Sequence, residues 1–239
     1  MSDRSESIDV ESNYLEVMRI IDETATKSNY DPSDITVVGV TKRIETSRIK
    51  SALDSGLKVI GEVVGTEFKK KLPQIKEHKN LEEIHVVGLM QSNKVKFSVE
   101  HCDLIQSVQS EKHLMLIDKC AKNINKIYPI LLQVDFSSVP RPKGLNLKET
   151  TNFINVIDEK YSNVKVKGIM TIAPLEYEED LQVLRKFFAK TRNHFDDLIP
   201  LLDTDSPQLS MGMSSDYGIA IEEGSTMVRI GTAIFGPRL

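Results

Sequence analysis

The sequence predicts an α/β fold: a single (β/α)8 TIM barrel. Three observations predict it. Eight short apolar runs recur along the chain, and stretches with helical periodicity separate them. The length of 239 residues is close to that of one such barrel. No Gly-x-Gly-x-x-Gly follows the first run, which weighs against the open dinucleotide-binding sheet that the same alternation also builds.

The elements follow in order. Residues 1–13 are polar and charged and read as a disordered tail, with the barrel occupying 14–239. Tyr14, Leu15, Met18 and Ile21 then fall at helical spacing. After the turn-like Asp31-Pro32-Ser33, the β-branched run Ile35–Val40 suits a buried parallel strand. Strands are expected around Val38, Ile60, Val86, Ile105, Leu132, Val166, Leu209 and Val228. Between them, Thr46 can cap a helix that buries Ile49, Ala52 and Leu53 and stops at Gly56. Further helices are expected over Glu67–His78, Asn93–His101, Glu111–Lys126, Lys148–Glu159 and Glu178–Asp197, with Pro73 a weak point in the first of these. The run Lys69-Lys70-Lys71 reads as a solvated helix face.

Composition narrows the function classes. Hydrophobic residues make up 40% and charged residues 28%, and the net charge of −4 offers no basic footprint for nucleic acid or an anionic membrane. Cys102 and Cys120 stand in no metal or redox spacing, so two reduced thiols are expected. The N-terminus has no signal-peptide core and no Arg-rich transit pattern, and no run is long enough to span a membrane. A cytoplasmic protein is the expectation. The five histidines show no metal spacing, and His85, inside a strand, reads as a satisfied core residue.

A parallel barrel carries its chemistry at the carboxyl ends of its strands. Lys42 sits there, two residues past Val40, where a desolvated amine can attack a carbonyl. Ser210–Asp216 follows the seventh strand, and Arg229-Ile230-Gly231-Thr232 ends the eighth. Their small and hydroxyl residues can present donors to an anion, where barrels frequently bind phosphate. Strand alternation aims Arg229 into the barrel, either to pair with Glu62, Glu222 or Glu223 or to donate to a bound heterocycle. Gln91-Ser92-Asn93-Lys94 is either rim chemistry or a helix start capped by Ser92.

At these residues the chain resembles the pyridoxal phosphate homeostasis family, over about Val37 to Arg238. The likeness is carried by Leu209–Ser214, by Glu222–Gly236 and by Gly88–Lys94, with Lys143-Gly144 and Gly168–Ile172 in support. The family is similar in fold to the N-terminal domain of bacterial alanine racemases and holds pyridoxal 5′-phosphate (PLP) as an internal aldimine. The resemblance implies that Lys42 forms the Schiff base. It places Ser210, Ser214, Gly231 and Thr232 on the phosphate and Arg229 against the pyridine nitrogen. An arginine there disfavours ring protonation and weakens the ring as an electron sink. One departure stands out: where the family reads Gly-Glu-Asn-Tyr-Val-Gln-Glu, this chain reads Gly61-Glu62-Val63-Val64-Gly65-Thr66-Glu67, so Val63 replaces a polar contact.

Two function classes follow. The first is a monomeric PLP carrier for cofactor homeostasis, whose partners are apo PLP-dependent enzymes. The second is a PLP-dependent amino-acid racemase using Lys42 as one base. The chain length leaves no room for the second domain that supplies a racemase's other base, which favours the carrier.

Overall fold

Eight parallel strands follow one another in chain order round a closed barrel. The computed structural model describes residues 8–137, 139 and 144–237. The strands are β1 (Thr36–Val40), β2 (Val59–Glu62), β3 (Glu83–Val86), β4 (Leu104–Val108), β5 (Tyr128–Gln133), β6 (Val164–Met170), β7 (Gln208–Ser210) and β8 (Met227–Ile230). Each contains the residue on which the sequence centred it. Closure is made by β8 against β1, with Val38 opposite Arg229 on one side and Val59 on the other.

The helices are α1 (Val10–Lys27), α2 (Thr46–Asp54), α3 (Thr66–Ile75), α4 (Val95–His101), α5 (Glu111–Asn123), α6 (Leu147–Lys160), α7 (Leu181–Leu198), α8 (Tyr217–Glu222) and α9 (Thr232–Phe235). The main core lies between barrel and helices, and includes fully buried Ile49, Phe68, Ile117, Phe188 and Phe235. A smaller cluster of Val38, Val59, Leu104, Leu131, Met170 and Met227 fills the barrel itself. Each of these six is contributed by a different strand, as strand alternation requires.

Three local readings need correction. The first helix begins at Val10, not Tyr14, because Asp9 caps it by accepting from the Ser12 N–H and Val10 is itself buried. Thr46 is the first helical residue of α2 rather than its cap; Glu45 precedes it and makes no side-chain cap bond. Ser92 belongs to a single 3₁₀ turn, Ser92–Lys94, and does not cap α4. Pro73 lies inside α3, and the helix ends two residues later at Ile75. Lys143 and the N-terminal seven residues lie outside the described residues.

One glycine is required by the strand geometry. The β5–β6 register slips between Ile130 and Leu131, and Gly168 on the opposite strand has φ +150°. A Cβ there would stand 1.8 Å from the Gln208 carbonyl oxygen. Among the described residues, no helix is long and apolar enough to cross a membrane.

Candidate functional site: a cleft at the carboxyl end of the barrel

Lys42 leaves the end of β1 on a clamped segment. The Thr41 N–H donates to the Gly61 carbonyl at 2.9 Å, continuing the ladder one residue past the strand. The Thr41 hydroxyl donates to Glu62 Oε1 at 2.7 Å. On the other side, the Arg43 N–H donates to Glu67 Oε1 at 2.7 Å, with Arg43 in the left-handed region at φ 59°. Lys71 Nζ ties these together: it donates to the Thr41 carbonyl at 2.6 Å and pairs with Glu62 at 2.9 Å and Glu67 at 2.8 Å. Both neighbours of Lys42 are therefore held by one ion cluster. The amine of Lys42 makes no hydrogen bond or ion pair among the described residues, and the residue is half-buried.

The solvated face expected for the lysine run does not extend to Lys71, which is 6% exposed. The signal was present in the sequence. Phe68, Lys71, Leu72 and Ile75 follow i, i+3, i+4, i+7 spacing and form the buried stripe of α3.

The loops after β7 and β8 are joined by Ser214. Its Oγ accepts from the Gly231 N–H at 3.1 Å and the Ala233 N–H at 3.3 Å. Thr232, at the start of α9, is exposed beside it. Asp216 accepts from the Met213 N–H at the foot of the same loop. Burial raises its carboxyl above the usual range, opposed by the Met213 N–H and the charge of Arg229.

Arg229 lies on the cleft floor and is 4% exposed. Its Nη1 donates to Ser210 Oγ and its Nη2 to the Thr171 carbonyl, both at 2.7 Å. Burial pushes its pKa down to about 10, so it remains a cation at neutral pH. The acidic partners proposed from sequence are occupied elsewhere: Glu62 by Lys71, and Glu222 and Glu223 by Arg185. Ser210 also differs from expectation. It is fully buried and its hydroxyl donates to Gln106 Oε1 at 2.7 Å, so it supports Arg229 from below rather than lining the cleft. Ser210 is part of β7, and the same alternation that turns Arg229 inward turns Ser210 inward beside it.

The cleft has a volume of about 320 Å³. Lys42, Ser214, Ser215, Arg229, Gly231 and Thr232 supply its polar side. Val40, Val63, Val87, Ile172 and Met213 form an apolar wall. Val63 packs over Gly88, where a Cβ would lie 2.4 Å from its Cγ2. Val87 escaped sequence reasoning because nothing in its local pattern marks the cleft, whereas Met213 and Ser215 lie in the Ser210–Asp216 loop and Ile172 in the Gly168–Ile172 stretch that the sequence singled out without assigning them a role. An amine, a lone guanidinium, hydroxyl-bearing loops and one apolar wall make a donor set suited to a flat anionic aldehyde.

Comparison with known proteins agrees with the barrel fold. A family profile described as alanine racemase, N-terminal domain, matches residues 40–238. A pyridoxal phosphate homeostasis protein from Aquifex aeolicus is 37% identical over 205 residues, which is 84% of this chain and 86% of that protein. The chain belongs to the pyridoxal phosphate homeostasis protein family. A solved structure of PipY from Synechococcus elongatus with PLP bound is 29% identical to this family member, with TM-score 0.75, covering 91% of this chain and all of that one. An alanine racemase from Streptomyces lavendulae is 14% identical with TM-score 0.72. The match covers 95% of this chain but 57% of the racemase, and at that identity it shows a shared fold alone.

Proposed function

We propose that this chain binds PLP covalently through Lys42 and serves intracellular PLP homeostasis as a carrier. The observation that carries the reading is the convergence of Lys42, Arg229 and the Ser214-linked loops on one cleft. When bound, PLP supplies an aldehyde able to condense with an amine, a ring nitrogen able to accept a hydrogen bond, and a phosphate. Lys42 is the unpaired amine at the rim. Arg229, with donors left over after Ser210 and Thr171, holds the ring nitrogen. Ser214, Thr232 and the start of α9 hold the phosphate, and the apolar wall excludes water from one face of the ring. Ser210 acts on the cofactor through Arg229. Relatives named for PLP homeostasis and a PLP-bound relative support the reading.

The test is a titration of the purified protein with PLP. Wild type gains a visible absorbance band at stoichiometric PLP, and Lys42→Ala does not, while its circular dichroism stays native. An unfolded Lys42→Ala would make the residue structural and remove the assignment. Rapid interconversion of D- and L-amino acids, faster than about 1 s⁻¹, would replace the carrier with a racemase.

A further inference from the structure

Beside the apolar cluster inside the barrel runs a row of buried polar side chains. Starting from the cleft floor, Arg229 Nη1 donates to Ser210 Oγ at 2.7 Å, and Ser210 donates to Gln106 Oε1 at 2.7 Å. Gln106 Nε2 meets His85 Nδ1 at 2.9 Å, and His85 Nε2 meets Glu83 Oε2 at 2.7 Å. The five residues come from β8, β7, β4 and β3. Gln106, Ser210 and His85 are at most 1% exposed. Glu83 reaches the opposite end of the barrel, where it lines a separate cavity of about 350 Å³.

Both ends fix the direction of this chain. Arginine only donates, and an ionised glutamate only accepts. With a neutral imidazole at His85, every bond between them runs the same way: Arg229 to Ser210, to Gln106, to His85, to Glu83. That direction assigns the Gln106 amide and the His85 tautomer, with the proton on Nε2 and Nδ1 bare. The second Gln106 amide hydrogen agrees, since Nε2 also lies 3.1 Å from Met227 Sδ. The hydrogen bond from His85 in turn holds the Glu83 carboxyl below the usual range, against the opposing effect of burial. Turning the amide round would set two acceptors, the Gln106 carbonyl oxygen and the bare His85 Nδ1, against each other and leave the Ser210 hydroxyl without its acceptor.

We infer that Gln106 and His85 are positioning residues for Arg229, holding its guanidinium on the cleft floor through a one-way hydrogen-bond chain that links the cleft to the far end of the barrel. Its bearing on the cofactor rests on the PLP reading above; the chain itself does not.

The experiment follows the imidazole nitrogens of His85 by long-range ¹H–¹⁵N NMR in the full chain, without and with PLP, beside the PLP titration. Wild type without PLP shows the Nε2–H tautomer at His85, and added PLP shifts both His85 nitrogens although the ring lies outside the cleft. Gln106→Met removes both the donor and the acceptor. It abolishes the fixed tautomer and the PLP-induced shift and weakens PLP binding roughly tenfold, the worth of one charge-assisted hydrogen bond. Gln106→Glu keeps an acceptor for Ser210 but none of the donors. It restores PLP affinity while moving a proton onto His85 Nδ1, a reversal that a merely structural role would not produce. An Nδ1–H tautomer in wild type overturns the chain, even where Gln106→Met fails to fold. Unchanged PLP affinity in a folded Gln106→Met overturns the positioning role. Failure of wild type to take up PLP removes the cofactor reading instead, and the tautomer measured without PLP still decides the chain.

Discussion

Replacing Lys71 by methionine tests how the Lys42 segment is held. The ammonium has three donors, and the structure uses all three: on Thr41, Glu62 and Glu67. The Glu62 side chain is 1% exposed and that of Lys71 7%, so this is a buried pair. Without Lys71, the Glu62 carboxylate keeps only the Thr41 hydroxyl and the Val63 N–H at 3.2 Å. Stranding one partner of a buried pair costs roughly 3–5 kcal/mol. Glu67, 45% exposed, adds little to that figure. Urea unfolding followed by circular dichroism should show the loss in Lys71→Met. Adding Glu62→Gln removes the stranded charge and should recover most of it, since buried pairs replaced as a unit are nearly neutral. The Thr41 carbonyl still lacks its donor, so PLP uptake by Lys42 should stay weakened in the double variant after stability has recovered. A single-variant loss below about 1 kcal/mol, the range of a surface pair, would refute the reasoning. So would a double variant no more stable than the single.

Three further outcomes are expected. Gly168→Ala should destabilise the barrel by about 3 kcal/mol or more in urea unfolding, because its Cβ meets the Gln208 carbonyl at 1.8 Å on a left-handed backbone; a loss within about 0.5 kcal/mol would contradict the β6–β7 geometry. Cys102, with its thiol pushed up to about 12 by burial and the nearby Asp103 and Glu62 charges, should resist alkylation at mildly alkaline pH until urea is added; labelling of Cys102 in the native protein would contradict its burial. Asp216, whose pKa is raised in the fold by burial, binds its proton more tightly folded than unfolded. The stability of wild type relative to Asp216→Asn should therefore rise as pH falls through that raised pKa towards the unfolded value, and be smallest above it; a difference that grows with rising pH would reverse the sign of the shift.

The strands were legible because both faces of a parallel barrel strand are buried, so each reads as an apolar run that no surface alternation blurs. Lys42 and Arg229 were legible for a related reason: each stands at the end of such a run, where polar residues are out of place unless they face the mouth. Ser210 and Ser214 could not be told apart in the same way. Which serine faces the cleft depends on where β7 ends, and Ser210 is its last residue while Ser214 lies beyond it. Lys71 was obscured by Lys69 and Lys70, two exposed neighbours that made a helical stripe look like a charge run. Gln106 sits inside the buried strand Leu104–Val108, and its partners are 21 and 104 residues away in sequence, a separation that no local pattern encodes. The early start of α1 turned on Asp9, a capping residue in a stretch whose composition alone suggested a tail.

The measurement that tests the central claim most directly is borohydride reduction of the protein after incubation with PLP, followed by peptide mapping. The account predicts one pyridoxyl group per chain, carried by Lys42, with the visible band lost on reduction and nothing fixed in Lys42→Ala. A label on another lysine, or no label in a folded protein saturated with PLP, would contradict it.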